Sequence, residues 1–256
     1  MPPQRPHVYV HYLPRHIPDG ALKGGIAVVV DILRATTMML HALEAGCEAV
    51  IPCTDIDEAR RIAAGLPPGT ALLAGERHGL PIPGFDLGNS PRSCTPGLCK
   101  GKTLVITTTN GTPAIEACKD AERVLIAGFV NRSATTKLLR EDGRDVHIVC
   151  AGTDGQISFE DSLFAGAMAE ELWNKYELSG NDEAMIAVTS WYDIDSHDGE
   201  EGGVLFDYLN RGRGGRRVRE LGLDKDIEDA ACVNRFHFTA ELRRDPFRIT
   251  ANPKSA

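Results

Sequence analysis

The run Val28-Val29-Val30 followed by Asp31-Ile32-Leu33-Arg34-Ala35-Thr36-Thr37 places a carboxylate, a guanidinium and two hydroxyls where a buried strand turns into a helix. Open α/β sheets bind ligands at the carboxyl ends of their strands, and a helix N-terminus favours anions. A carboxylate suits a hard cation and an Arg suits an anion. The segment therefore suggests a metal-assisted site for a phosphorylated or acidic ligand. By itself Asp31 is equally well read as a helix cap or turn former.

Further carboxylates stand at comparable points: Glu76 in Gly75-Glu76-Arg77, the pair Glu160-Asp161, and Asp86 in a long loop. Magnesium takes oxygen ligands and keeps several waters, so one to three carboxylates suffice for it. Adjacent helical residues point about 100° apart, so only one of Glu160 and Asp161 can be an inner ligand. Asp161 is the better candidate, with Glu160 behind it or acting as a base. Both also fit a plain acidic first turn.

The hydroxyl-rich stretch Thr107-Thr108-Thr109-Asn110-Gly111-Thr112 reads as a turn, with Thr112 as N-cap and Pro113 at the first helical position. Its amides could cradle a phosphate, although no P-loop pattern is present. Gly152-Thr153-Asp154-Gly155 lacks the G-x-G-x-x-G of a dinucleotide loop. Arg92, in Phe85–Arg92, could pair bidentately with an acidic ligand. Arg211, Arg213, Arg216, Arg217 and Arg219 crowd a Gly-rich stretch that reads as a loop, where Arg216 is the best candidate anion binder. His78 is the only His beside a proposed site.

A formal charge of -8 excludes general nucleic-acid binding. No apolar run approaches the roughly 18–20 residues of a membrane span, and no signal core opens the chain, so a cytoplasmic location is expected. Seven dispersed cysteines read as reduced thiols. The lone Cys94-x4-Cys99 pair has too few companions for zinc, which takes four ligands.

Short apolar runs at Val8–Tyr12, Ala27–Asp31, Ala49–Pro52, Ala71–Ala74, Thr103–Thr107, Val124–Ala127 and Val146–Cys150 alternate with helical patterns. These are Thr36–Ala45, Ile56–Ala64, Pro113–Lys119, Ser133–Glu141 and Phe159–Lys175. The alternation predicts a three-layer α/β/α architecture with a largely parallel sheet, mixed at its edges. Parallel strands would gather the polar turns along one sheet edge, Asn131 and Thr153 included. The chain is expected to form one domain over residues 1–256, with a subdomain hinge allowed near 75–101. Past residue 176 the pattern weakens to short helices around Asp182–Val188, Arg217–Leu221 and Ile227–Cys232. The polar tail from Arg243 is expected to fray at its end.

In this order, Val30–Thr37, Ala74–Arg77, Gly84–Pro91, Thr107–Thr112, Gly128–Ala134 and Ala151–Thr153 with Glu160-Asp161 resemble the 2-phosphosulfolactate phosphatase (ComB) family. The resemblance covers roughly residues 25–170 and continues more weakly through Gly215-Arg216 to Asp226-Ile227. It implies a ComB-like α/β fold and a Mg²⁺-dependent phosphomonoester hydrolase. The family reaction converts 2-phospho-3-sulfolactate to 3-sulfolactate and phosphate, a step toward coenzyme M. Asp31, Glu76 and Asp161 would then hold or surround the metal. Arg34, Asn110 and Thr112 would hold the phosphate, and Arg77, Arg92 and Arg216 the other acidic ends. Thr36, Thr37, Asn131 and Thr153 would complete the substrate contacts, and Glu160 would assist catalysis. Asp31 could be ligand, nucleophile or both. The expected partner is a small anionic phosphorylated substrate, with neither nucleic acid nor membrane, and a homodimer is allowed. Two rival readings use the same residues: a lyase or isomerase acting on an enolisable acid, and a non-catalytic anion-binding protein.

Overall fold

Five residues of β2 (Ile26–Val30) are all buried, as a strand covered on both faces must be. Their side chains alternate, so Val28 and Val30 join one core while Ala27 and Val29 join the other. The computed structural model describes residues 5–176, 180–195 and 203–252. The other strands are β1 (Val8–His11), β3 (Ala49–Cys53), β4 (Ala71–Arg77), β5 (Leu80–Pro81), β6 (Thr103–Thr107), β7 (Arg123–Ala127), β8 (Val146–Cys150), β9 (Thr239–Arg244) and β10 (Phe247–Asn252). The helices are α1 (Ala35–Glu44), α2 (Ile56–Gly65), α3 (Pro96–Cys99), α4 (Gly111–Ala117), α5 (Arg132–Asp142), α6 (Phe159–Leu172), α7 (Asp182–Asp195), α8 (Gly203–Arg211), α9 (Arg213–Glu220) and α10 (Asp224–Ala231).

The sheet runs β1-β8-β2-β7-β9-β10-β3-β6-β4-β5. Strands β1, β8, β2 and β7 are mutually parallel, as are β3, β6 and β4. Helices cover both faces, giving the expected α/β layering. The antiparallel element differs from expectation. Besides β5 at one edge, the hairpin β9–β10 lies between the two parallel groups, pairing with β7 and with β3. The polar segment from Arg243 is therefore paired within the sheet as far as Asn252, and the end expected to fray, residues 253–256, lies outside the described residues. Ala240, Leu242 and Ile249 face a core. The buried Glu241 is held by Arg123, whose Nε and Nη2 reach it at 2.7 and 2.9 Å. That pairing lets a charged sequence sit inside the sheet. The helix expected around Arg217–Leu221 is present but starts earlier, at Arg213, so most of the Arg-rich stretch is α9 rather than loop, behind a helix, α8, that the sequence pattern did not indicate.

At the β1–β8 edge, His147 stacks on Tyr9, and His11 Nε2 lies 3.1 Å from His147 Nδ1. Burial lowers the affinity of both rings for a proton, His147 down to about 4 and reinforced by His11. A His whose folded pKa is depressed stabilises the fold above its unfolded value of about 6.5 and loses that contribution as pH falls toward the folded value. The melting temperature should therefore drop between about pH 6.5 and 4, and His147→Gln should flatten that drop. An equally steep fall in the variant contradicts the assignment.

Candidate active site

The turn after β2 is tied by hydroxyls. Thr36 Oγ1 donates to the Asp31 carbonyl at 2.9 Å and accepts the Asp31 amide at 3.1 Å. Thr37 Oγ1 donates to the Ile32 carbonyl at 2.8 Å. Asp31 Oδ1 accepts the Ala35 amide at 3.2 Å, which fixes the carboxylate over the start of α1. Thr108 and Thr112 make the same kind of knot after β6, each amide meeting the other's hydroxyl at 3.1 Å. Here α4 begins at Gly111, with Asn110 before it, two residues earlier than the sequence suggested. Gly111 permits a close approach: a Cβ there would lie 2.5 Å from the Ala35 Cβ and 2.8 Å from Asp31 Oδ2. The starts of α1 and α4 thus meet closely around Asp31, which also lines a pocket. Thr36, Thr37 and Thr112 act as supports of these turns.

Four carboxylates stand near one another. Asp31 and Glu76 line one pocket. Glu76 accepts the Thr109 and Gly79 amides, each at 2.7 Å. Asp161 lies behind Asp31, only 2% exposed, with its two oxygens accepting the Ile32 amide at 2.9 Å and the Gly152 amide at 3.1 Å. Glu160 is buried under the start of α9, where a Cβ on Gly214 would overlap its Oε1. The run of glycines at 212, 214 and 215 is thus explained by close packing, with Glu160 beneath two of them. Neither Glu160 nor Asp161 lines the pocket.

Crowding shows in the acidities of Asp31, Asp161 and Glu160. Burial, then the negative fields of Glu76 and Glu160, push Asp31 up to about 7 against the pull of the Ala35 amide and Arg34. Burial also raises Asp161, reinforced by Asp31 and Glu160, and Glu160, opposed by Ser158 and Arg216. A site that brings buried carboxylates together and raises their pKa values is electrostatically ready for a cation.

The positive side of the pocket comes from Arg34 and Arg217. Arg34 Nη1 donates to Asp226 Oδ2 at 2.8 Å, with side-chain exposures of only 5% and 1%. Asp226 Oδ1 also accepts the Ser90 hydroxyl at 2.6 Å, and Arg34 Nη2 donates to the Gly79 carbonyl at 3.2 Å. Segments distant in sequence therefore fix one guanidinium. Arg77, Arg92 and Arg216 do not line this pocket. Arg77 bonds the Glu76 carbonyl and Thr107. Arg92 pairs with Asp229 at 2.9 Å, and Arg216 donates to the Arg211 carbonyl. Asn131 is fully buried and braces the end of β7 through Gly128 and Ile126. Thr153 lines the pocket, and so does Asn110, whose Oδ1 accepts the Asp154 amide at 3.1 Å.

Two pocket oxygens, Thr109 Oγ1 and Asn89 Oδ1, are buried with no hydrogen-bond partner among the described residues. Such groups are costly unless something satisfies them. Neither was singled out by sequence, because an Asn in a turn and one Thr among several carry no distinguishing pattern. Arg217, His78 and Gly79 also line the wall. No three His, Cys, Asp or Glu side chains among the described residues gather as a ready metal cage. Magnesium is usually held by one or two carboxylates plus substrate phosphate and water. Asp31 and Glu76, which line one pocket together, fit that mode.

The chain matches, over residues 11–245, the family model described as 2-phosphosulpholactate phosphatase. It is 37% identical over 234 residues, 91% of this chain and 94% of the relative, to a probable 2-phosphosulfolactate phosphatase of Caldanaerobacter subterraneus subsp. tengcongensis. A protein of the same name from Picosynechococcus is 40% identical over 228 residues, covering 88% of this chain and 90% of its own. Another from Prochlorococcus marinus is 42% identical over 230 residues, with coverage of 88% and 90%.

Proposed function

Because the chain belongs to the 2-phosphosulfolactate phosphatase family, and is accordingly a phosphatase, we propose that its pocket hydrolyses 2-phospho-3-sulfolactate to 3-sulfolactate and phosphate with the help of Mg²⁺. The observation that carries this reading is the meeting, on one pocket wall, of the Asp31 and Glu76 carboxylates and the fixed guanidinium of Arg34.

Asp31 and Glu76 are the residues that would hold the cation. When bound, Mg²⁺ would neutralise phosphoryl oxygens and the leaving alkoxide. Arg34 supplies a positive charge whose direction is set by Asp226 and Gly79, so it costs little reorganisation when the phosphoryl group arrives. Dispersed charge of this kind is what phosphoryl transfer asks of a protein. Thr109 Oγ1 and Asn89 Oδ1 gain partners when substrate, or water around it, enters. Asp161 and the Thr36 hydroxyl keep the Asp31 turn from relaxing. Seven free cysteines suit a reducing compartment such as the cytoplasm, and no described helix is long and apolar enough to cross a membrane. The product would feed coenzyme M formation where that cofactor is made.

The test is phosphate release from a panel of three-carbon phospho-acids, with and without a sulfonate. The phospho-sulfo-acid should be the best substrate, in proportion to enzyme. Conversion of phosphate-free enolisable acids, with no phosphate released from any ester, would overturn the proposal in favour of a lyase or isomerase. Tight ligand binding without turnover would overturn it in favour of an anion sensor.

A further inference from the structure

The pocket has a second guanidinium whose present partner holds it weakly. Arg217 Nη1 meets Asp154 Oδ2 at 3.3 Å, and Arg213 Nη2 meets the same oxygen at 3.2 Å. Two guanidinium charges therefore share one carboxylate oxygen. The Arg217 and Asp154 side chains are 35% and 34% exposed, and pairs so exposed contribute little. Arg217 has five N–H donors, so most of its capacity is open to a ligand. Arg34, by contrast, is buried against Asp226.

The two guanidiniums flank one residue. Arg34 Nη2 donates to the Gly79 carbonyl, and a Cβ on Gly79 would stand 3.3 Å from Arg217 Nε. Gly79 has φ +77°, a conformation in which side chains are strained. The β4–β5 turn thus offers a side-chain-free floor between them. Arg213 and Arg217 are four residues apart on α9, so both face Asp154, and Arg213 would stay on Asp154 if Arg217 turned toward a ligand.

We infer that Arg217 is the specificity-determining residue for a second anionic group of the substrate, its sulfonate, and that Asp154 is the stand-in anion it leaves when substrate binds. The inference rests on the phosphatase reading and assigns the non-reacting end of the substrate within it. Arg217 takes the place that sequence spacing gave to Arg216. Helix α9 explains the difference, since adjacent helical residues diverge by about 100°. A charge-assisted, two-bond contact is expected to favour a substrate bearing the second anion by about 10- to 100-fold.

The experiment compares kcat/KM for 2-phospho-3-sulfolactate and for 2-phospholactate, which has the same skeleton without the sulfonate. The wild type should prefer the first by about 10- to 100-fold, and in Arg217→Met the ratio should collapse toward one through KM. Asp154→Asn should keep the preference and lower KM, because a competing anion has gone. An Arg217→Met enzyme with an undiminished ratio overturns the inference, and an unchanged or higher KM in Asp154→Asn overturns the role of Asp154. Should the wild type cleave neither ester, the phosphatase reading itself fails, and calorimetric titration decides the inference. In that case 3-sulfolactate should still bind wild type more tightly than lactate does, and equal affinities in wild type and Arg217→Met refute it.

Discussion

Asp31→Asn is expected to lower kcat/KM for phosphate release by about three orders of magnitude or more, some 4 kcal/mol of transition-state stabilisation. The loss follows whether Asp31 only holds the cation or also attacks phosphorus, since the amide does neither well. The same substitution should make the protein more stable, which separates this account from a purely structural role. Asp31 sits among Glu76, Glu160 and Asp161, and its pKa is raised to about 7. A carboxyl with a raised folded pKa contributes most below its unfolded value and loses that contribution as pH rises through the folded one. Asparagine carries no charge to be penalised there. At pH 8 without added metal, Asp31→Asn should therefore melt higher than wild type, by about 3 °C or more. A variant that is both inactive and less stable would mean that Asp31 serves mainly as a cap for α1.

Asp226→Asn should cost both stability and activity. Its partner Arg34 is buried, and removing one member of a buried ion pair leaves a charge without compensation, typically about 3–5 kcal/mol. For a chain of this size that corresponds to a fall in melting temperature of roughly 6–20 °C. Activity should drop by about 100-fold well below the melting transition, because the guanidinium proposed to meet the phosphoryl group loses its orientation. Asp226→Glu should recover part of the rate, and Ser90→Ala, which removes only the 2.6 Å bond to Asp226, should lose less. Equal kcat/KM in wild type and Asp226→Asn at low temperature would mean that Arg34 is placed by the Gly79 carbonyl alone.

Much of this arrangement was legible before the fold. The strands β1–β4 and β6–β8 announce themselves as apolar runs, and their polar ends mark the edge where Asp31, Glu76, Asn110 and Thr153 line one pocket. The hairpin β9–β10 did not, because Glu241, Arg243, Arg244 and Arg248 give it the look of a solvated tail. Its burial depends on Arg123, 118 positions away from Glu241, and no local pattern encodes such a pairing. Asp226 was hidden for the same reason: an Asp in the first turn of α10 looks like a dipole partner until Arg34 is seen against it. Hydroxyls were legible as residues but not in role, since Thr36, Thr37 and Thr112 proved to tie the turns themselves. Arg217 could be told from Arg216 only once α9 was seen to begin at Arg213 and carry both residues on one helix.

The measurement that bears most directly on the central claim is phosphate release from 2-phospho-3-sulfolactate by the wild-type protein after treatment with chelator and again after Mg²⁺ is restored. The Asp31–Glu76 site predicts near-complete loss in chelator and full recovery with Mg²⁺. Unchanged turnover in chelator would contradict a cation at Asp31 and Glu76.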